Sequence, residues 1–265
     1  MNSKLISTTK EQQADIMRAF NSLENAAMLF SPARALMAIA YQQVTKQGDG
    51  HPVLVIPGLG TDDTSMMAFK KMLEKSGFAP TGWNLGMNRG YSLEDEARLV
   101  KMVREIKKAT GQKVSIIGWS LGGMYARAIA QDSPSDVRQV ITLGTPWKGI
   151  ENTSIAHRFE KETGQQIQTT MTEQVVSRLK KISSDLEVPY MSIYSKEDGI
   201  SYWEACRVEL DHRQMAQSVE IGGQHFHLPN SLEAFSIVED MLRMSAENWE
   251  PHPKADNNHS LVMRM

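Results

Sequence analysis

Short apolar runs rich in β-branched residues recur along the chain, separated by stretches long enough to hold a helix. Unbroken runs of this kind are typical of strands that are buried on both faces, as in a parallel sheet. Strands that alternate with helices predict an α/β fold, in which a mostly parallel central sheet carries helices on both faces. The predicted strands are Val53–Pro57, Val114–Gly118, Val137–Leu143, Val188–Tyr194 and Ser218–Ile221.

The segments between these runs carry the periodicity and the end signals of amphipathic helices. In the segment Leu93–Ala109, Leu99 and Val103 fall on one face. Ser92 stands in the N-cap position, and Gly111 follows the end of the segment. The other predicted helices are Thr64–Ser76, Leu121–Gln131 and Ser231–Met244.

The alternation of strands and helices predicts one α/β domain over residues 49–245. A polar stretch at residues 150–187 has weak helical periodicity, and we interpret it as a short cap insertion over the sheet. Residues 1–48 are predicted to form a helical segment that packs on the main domain. Residues 246–265 are polar and are predicted to form a flexible tail.

Composition excludes several classes of protein. The chain has 265 residues, a net charge of −2 and 41% hydrophobic residues, values typical of a globular protein that buries a large core. This near-neutral charge gives no electrostatic reason to expect nucleic acid as a partner. Cys206 is the only cysteine. An intrachain disulfide and a cysteine-based zinc site are therefore excluded, which suits the cytoplasm, the location that we predict.

The sequence predicts no segment that crosses a membrane, since no apolar run approaches the roughly 18–20 residues of a span. The N-terminal residues also lack the apolar centre of a signal peptide. The apolar stretch Ala26–Tyr41 is broken by Pro32. We interpret this stretch as a pair of amphipathic helices, and peripheral contact with a membrane surface is the alternative. We make no prediction of the oligomeric state.

The segment Gly118–Gly122 reads Gly-Trp-Ser-Leu-Gly and joins a predicted strand to a predicted helix. In that setting a Gly-X-Ser-X-Gly match is typical of a nucleophile elbow, whose sharp turn exposes the serine hydroxyl at the carboxyl edge of the sheet. A phosphate-binding turn has a similar geometry, but no lysine follows in the position that a P-loop needs. Ser120 is therefore the candidate nucleophile.

A second motif, Pro57–Gly60, directly follows the first predicted strand and reads Pro-Gly-Leu-Gly. Attack of a serine on an acyl carbon creates an oxyanion, which backbone N–H groups must stabilise. Leu121, the residue after the nucleophile, is one candidate donor. Leu59, in the loop after the first central strand, is the other.

The acid and the base of such a site are expected downstream, in the order serine, acid, histidine. Asp198 comes soon after the strand that ends at Tyr194 and is the preferred acid, with Glu197 as its rival. His225 follows the last predicted strand and is the preferred base, with His227 as its rival. No third ligand stands at metal-binding spacing from these histidines, so we predict no metal site.

Together these motifs resemble the α/β-hydrolase superfamily, in its bacterial lipase/esterase-like branch, over Pro52–Met244. The resemblance implies an α/β-hydrolase fold with Ser120 as nucleophile and Asp198 as acid. It also favours His225 over His227 as the base, since the family places a leucine and then an asparagine after the catalytic histidine. The segments that carry the resemblance are Ile56–Gly60, Gly118–Gly123, Ile141–Gly149, Tyr194–Ile200 and His225–Ser231.

These observations predict a serine hydrolase that cleaves a carboxylic ester through an acyl-enzyme. Its expected substrate is a small-molecule or lipid ester, and the reaction needs no cofactor. The residues expected to line the acyl pocket, because they lie near the motifs in sequence, are Met66, Met67, Trp119, Trp147 and Ile150. An acyltransferase with the same triad and a non-catalytic binding protein on this fold are the alternatives.

Overall fold

A sheet of six parallel strands is the centre of the computed structural model, which describes residues 48–213 and 215–256. The strands are rich in Val and Ile, and most of their side chains are buried, since helices cover both faces of the sheet. They are β1 (Pro52–Ile56), β2 (Ala79–Gly82), β3 (Val114–Trp119), β4 (Val137–Leu143), β5 (Tyr190–Tyr194) and β6 (Ala216–Glu220).

The order of the strands across the sheet is β2-β1-β3-β4-β5-β6. The chain therefore leaves β1 towards one edge of the sheet and β3 towards the other, while β1 and β3 lie side by side with Ile56 opposite Gly118. Ligands of open parallel sheets bind at such a switch point, outside the carboxyl ends of the strands. The loop Pro57–Gly60 follows β1 and Ser120 follows β3, so the topology brings both motifs to this point.

The helices of the described segments flank the sheet, and a hydrophobic layer lies between the sheet and the helices on each face. On one face, Phe69 packs edge-on against Phe235 at 5.5 Å between ring centroids. On the other face, Leu99 and Val103 are fully buried beside Met124. The helices are α1 (Met67–Lys75), α2 (Leu93–Thr110), α3 (Leu121–Asp132), α4 (Ser154–Thr163), α5 (Glu173–Ile182), α6 (Trp203–Cys206) and α7 (Leu232–Leu242).

The predicted α/β fold, with a parallel central sheet and helices on both faces, is confirmed. The end signals of α2 are also confirmed, since Ser92 Oγ accepts a hydrogen bond from the Asp95 N–H and Gly111 ends the helix at φ 72°. Strand β2 was not predicted. Its Ala-Pro-Thr-Gly sequence lacks an apolar run, and the proline is tolerated because β2 is an edge strand.

The segment at residues 150–187 contains α4, α5 and a turn of 3₁₀ helix between them, Ile167–Thr170. Residues 1–47, almost all of the predicted N-terminal helical segment, lie outside the described residues, as does the end of the chain from residue 257. Within the described ranges, no helix is both long enough and apolar enough to cross a bilayer.

Residues 246–256 are the described part of the flexible tail predicted over residues 246–265, and they form hydrogen bonds with the sheet. The backbone N–H of His252 donates to a glutamine side chain of β6 at 2.7 Å. The Asp256 carboxylate accepts a hydrogen bond from the Tyr194 hydroxyl at 2.6 Å. One bond uses the backbone of this segment and the other a carboxylate, and together they hold it against β5 and β6.

Candidate active site

Ser120 occupies the turn between β3 and α3 in a strained backbone conformation, with φ 55° and ψ −126°. Its N–H donates to the carbonyl oxygen of Leu143 at 2.8 Å. Its carbonyl oxygen accepts the Thr145 hydroxyl, also at 2.8 Å. Both bonds tie the turn to the end of β4. This is the geometry of the nucleophile elbow that the sequence predicts.

The glycines around Ser120 are dictated by close backbone packing. A Cβ built on Gly118 would lie 2.4 Å from the Cα of Gly123. A Cβ built on Gly122 would lie 2.3 Å from the carbonyl oxygen of Ile56, the last residue of β1. No larger residue fits at either position without moving the backbone, which is the physical reason for the glycines of the motif.

His225 and Asp198 form a buried pair, with 2.6 Å between His225 Nδ1 and Asp198 Oδ2. The second carboxylate oxygen, Oδ1, accepts the backbone N–H groups of Ile200 and Ser201, both at 2.8 Å. These bonds fix the orientation of the carboxylate. The histidine side chain is 2% exposed and the aspartate side chain 1% exposed, so the surrounding water screens their interaction little.

The two rivals from the sequence lie beside this pair but not in it. Glu197 Oε2 accepts the backbone N–H of Gly223 at 2.8 Å. The ring of His227 packs over the same glycine, where a Cβ would lie 2.4 Å from His227 Cδ2. Both side chains therefore support the loop that carries His225.

The pair lies close to the elbow. A Cβ built on Gly144 would lie 2.9 Å from Asp198 Oδ2 and 3.2 Å from His225 Nδ1, and Gly144 directly follows the Leu143 carbonyl that binds the Ser120 N–H. The indole N–H of Trp119 donates to the His225 carbonyl oxygen at 3.3 Å. His225 Nε2 is buried and bonds to no atom of the described residues. That nitrogen is therefore available to accept a proton, as a general base requires.

Ser120 borders a cavity beside the elbow. Most of the wall is apolar and comes from the loop after β1, from α3 and from the segment at residues 150–187. Leu59 and Leu121, the residues predicted to supply the oxyanion donors, both border the cavity beside Ser120. The residues of the wall are Leu59, Gly90, Tyr91, Ser120, Leu121, Met124, Pro146, Ile150, Thr153, Ile155, Ile167, Met171, Ile200 and Ser201.

A buried polar network joins this wall to α5. The Tyr91 hydroxyl donates to the Glu96 carboxylate, and burial and the charge of that carboxylate raise the pKa of Tyr91. Arg178 of α5 donates to the other Glu96 oxygen through Nε at 2.8 Å. The ion pair is nearly buried, so breaking it would leave an uncompensated charge inside the protein. The network therefore fixes α5 beside the cavity.

Of the residues expected to line the acyl pocket, Ile150 borders the cavity, whereas Met66, Trp119 and Trp147 do not. Met66 and Trp119 face the opposite layer, packed with α1 and α7. The Trp147 ring lies on the Arg127 guanidinium, 4.3 Å from its carbon, and its N–H donates to the Cys206 carbonyl oxygen. Met67 is half exposed. Nearness in sequence to the motifs is therefore a poor guide to the cavity wall.

Comparisons with known proteins show the family of the chain. The model of the palmitoyl protein thioesterase family matches residues 52–204, more than half of the chain. The chain belongs to this family. The matched segment includes Ser120 and Asp198, and His225 lies beyond its end.

Several relatives share part of the sequence with this palmitoyl protein thioesterase family member. A lysosomal thioesterase PPT2 homolog from Drosophila melanogaster is 31% identical over 112 residues, covering 40% of this chain and 39% of the relative. A triacylglycerol lipase from Pseudarthrobacter phenanthrenivorans is 32% identical over 113 residues, covering 38% and 34%. The chain thus aligns with about two-fifths or less of the length of these relatives.

Solved structures share the fold. The mature Bacillus licheniformis lipase BlEst2 superposes with a TM-score of 0.54 at 16% identity, covering 76% of this chain and 96% of the lipase. A monoacylglycerol lipase from Paleococcus ferrophilus gives a TM-score of 0.51 at 14% identity, covering 75% and 96%. The resemblance to the lipase/esterase-like α/β hydrolases is therefore confirmed at the level of fold and family.

A second Ser-His-Asp arrangement, not predicted from the sequence, lies at the amino end of the sheet in this family member. His51 Nδ1 is 2.5 Å from Asp49 Oδ1, and His51 Nε2 is 2.9 Å from the hydroxyl oxygen of Ser115. Both His51 and Ser115 are fully buried, so this hydroxyl is closed to substrate. Among the described residues, no group of three or more histidine, cysteine or acidic side chains could hold a metal ion.

His51 is expected to make the fold sensitive to acid. Burial and the nearby Arg138 lower the pKa of His51, although its bond to Asp49 opposes this. In the unfolded chain a histidine titrates near about pH 6.5, so the unfolded state binds this proton more tightly. The contribution of His51 to the stability of the fold is therefore complete above about pH 6.5. It is lost as the pH falls through the lower pKa of His51 in the folded state.

Urea unfolding at pH 7.5 and at pH 5 measures this effect. The free energy of unfolding should fall less between the two pH values in His51→Gln, which keeps a hydrogen-bonding side chain, than in the wild type. Equal falls in the two proteins would contradict the assignment.

Proposed function

We propose that this protein hydrolyses an acyl ester or thioester through a covalent intermediate on Ser120. The observation that carries the proposal is the 2.6 Å pair of His225 and Asp198, buried beside a serine that opens into an apolar cavity. A serine hydroxyl needs a base to become nucleophilic, and an imidazole oriented by a carboxylate is the arrangement that supplies one.

In the first half of the proposed reaction, His225 Nε2 takes the Ser120 proton while Ser120 Oγ attacks the acyl carbon. The carbonyl oxygen becomes an oxyanion, which accepts hydrogen bonds from the N–H groups of Leu59 and Leu121. When this intermediate collapses, the bond to the leaving group breaks, and the imidazolium returns its proton to the departing alcohol or thiol. Asp198 holds the ring in the tautomer with the proton on Nδ1 and stabilises the imidazolium.

In the second half, water attacks the acyl carbon of the Ser120 ester. His225 Nε2 accepts a proton from that water and then donates it to Ser120 Oγ as the acyl–enzyme bond breaks. A carboxylic acid leaves and the enzyme returns to its starting state. An acyltransferase would follow the same first half and differ only in the nucleophile of the second.

The apolar wall of the cavity supports a substrate that carries an apolar acyl group. Leu121, Met124, Ile155, Ile167 and Met171 line it, and burying an acyl chain among such side chains releases about 0.8 kcal/mol for each CH₂ group. The relatives named for thioester and triacylglycerol cleavage also act on acyl compounds, as their names state. Both kinds of leaving group fit the chemistry of the serine.

Labelling with a fluorophosphonate probe tests the nucleophile. The probe should modify Ser120 in the full-length wild type, and Ser120→Ala should abolish both the labelling and the turnover of a short nitrophenyl ester. Ser115→Ala is the matched control, because Ser115 also bonds to a histidine that bonds to an aspartate but is fully buried. It should still be labelled at Ser120.

The identity of the modified residue decides the outcome. Peptide mass mapping that finds the probe anywhere other than Ser120 would contradict the proposal. So would a correctly folded wild type that neither reacts with the probe nor turns over esters or thioesters of any chain length.

A further inference from the structure

The loop between β2 and α2 packs on the loop that follows β1. Within it, Asn88 is fully buried although it is polar and lies in a loop. Such a residue is retained inside a protein only where its polar groups are paired. Neither the family match nor the reaction described above assigns a role to Asn88.

Asn88 makes three hydrogen bonds across the Pro57–Thr61 loop. Its side-chain Nδ2 donates to the Pro57 carbonyl oxygen at 2.9 Å. Its backbone oxygen accepts the Gly60 N–H, and its backbone N–H donates to the Thr61 carbonyl oxygen, both at 2.8 Å. A single buried residue therefore holds the loop on both sides of Leu59.

These bonds bear on the direction of the Leu59 N–H group. The orientation of that N–H is set by the peptide plane between Gly58 and Leu59. The carbonyl oxygen of Gly58 lies in this plane and accepts a hydrogen bond from the Thr61 hydroxyl at 2.8 Å. The Asn88 bonds fix the residues before and after the plane. The loop also lies against the nucleophile, since a Cβ built on Gly58 would lie 3.1 Å from Ser120 Cβ.

We propose that Asn88 is a positioning residue, whose side-chain amide holds the Leu59 N–H in the direction needed to stabilise the oxyanion. The inference rests on the proposed function, because it assumes that Ser120 attacks an acyl carbon. An oxyanion donor acts only when it is already aimed at the charge that develops in the transition state. Asn88 itself does not touch the substrate, and it acts through the backbone of Leu59.

The loop that carries Asn88 is itself anchored. Asp63 accepts the backbone N–H groups of Trp83 and Asn84, both at 3.0 Å. At the other end, the Tyr125 hydroxyl donates to the Gly90 carbonyl oxygen at 2.8 Å. Hydrogen bonds therefore anchor both ends of the loop that carries Asn88, so the Asn88 side chain can fix the position of the neighbouring loop.

The test compares Asn88→Ala with Asn84→Gly in the full chain, using a nitrophenyl ester. Asn88→Ala removes the donor to Pro57 and should lower kcat by about 10–100-fold with KM changed less than about threefold, since oxyanion contacts form mainly in the transition state. Asn84→Gly removes the other asparagine amide of the loop, which donates to Gly82, and suits the φ of 57° there. It should keep kcat within about threefold of the wild type.

Each outcome decides the matter. If Asn88→Ala does not fold, Asn88→Ser, whose side chain is too short to reach the same acceptor, should show the same loss of kcat. A folded variant with unchanged kcat, or a loss confined to KM, would overturn the role of Asn88 while leaving Ser120-dependent turnover intact. A wild type with no Ser120-dependent turnover would overturn the proposed function, and this inference with it.

Discussion

Replacing His225 with alanine is expected to lower kcat for a nitrophenyl ester by about 10⁴–10⁶-fold, the range found when one member of a catalytic triad is removed. The expected loss is large because Ser120 then has no base, and the His225–Asp198 pair that would stabilise the imidazolium is gone. Steady-state kinetics at pH 8 measures the effect. Asp198→Asn should lose about 10⁴-fold, because the ring is then held in the wrong tautomer.

Two neighbouring residues of the same chemical types provide matched controls. His227→Ala and Glu197→Gln should each lose less than about tenfold, because these side chains support the Gly223 backbone and do not join the pair. A larger loss in His227→Ala than in His225→Ala would contradict the assignment of the base. Residual activity above about 1% in a folded His225→Ala protein would contradict the proposed mechanism itself.

The strands of the sheet could be predicted from the sequence because burial on both faces leaves a strong local signal. Every residue of Val53–Ile56 and Val114–Ile117 is fully buried, and all of them except Ser115 are apolar. Strand β2 gave no such signal, because an edge strand with a proline and a glycine is specified by its pairing with β1 and not by its own composition. A local sequence pattern does not show which strand a segment will pair with.

The juxtaposition at the site could also be foreseen, since residues that follow parallel strands meet at one edge of the sheet. That rule brought together Ser120, Asp198 and His225 from distant parts of the chain. The wall of the cavity could not be foreseen in the same way. It depends on how residues 150–187 fold back over the sheet, and on which layer a side chain enters, as the inward turn of Trp119 to the opposite layer illustrates.

Substituting alanine for Gly122 is expected to lower the free energy of unfolding by at least about 3 kcal/mol, a large share of the roughly 5–15 kcal/mol that stabilises a domain. The added Cβ would lie 2.3 Å from the Ile56 carbonyl oxygen and 2.7 Å from that of Pro57. Both contacts are with backbone, at the junction of β1 and the turn at Ser120. Neither atom can move without disturbing the pairing of β1 with β3, so the strain cannot be relieved by a change of rotamer.

Urea unfolding of Gly122→Ala beside Gly222→Ala separates this strain from the general effect of replacing glycine. A Cβ at Gly222 meets no atom within 4 Å, and its φ lies outside the left-handed range. Gly222→Ala should therefore leave stability within about 1 kcal/mol of the wild type, or raise it slightly by restricting the unfolded chain. If Gly122→Ala proved as stable as Gly222→Ala, the close approach of α3 to the end of β1 would be wrong. The Ser120 hydroxyl, whose position depends on that approach, would then be misplaced as well.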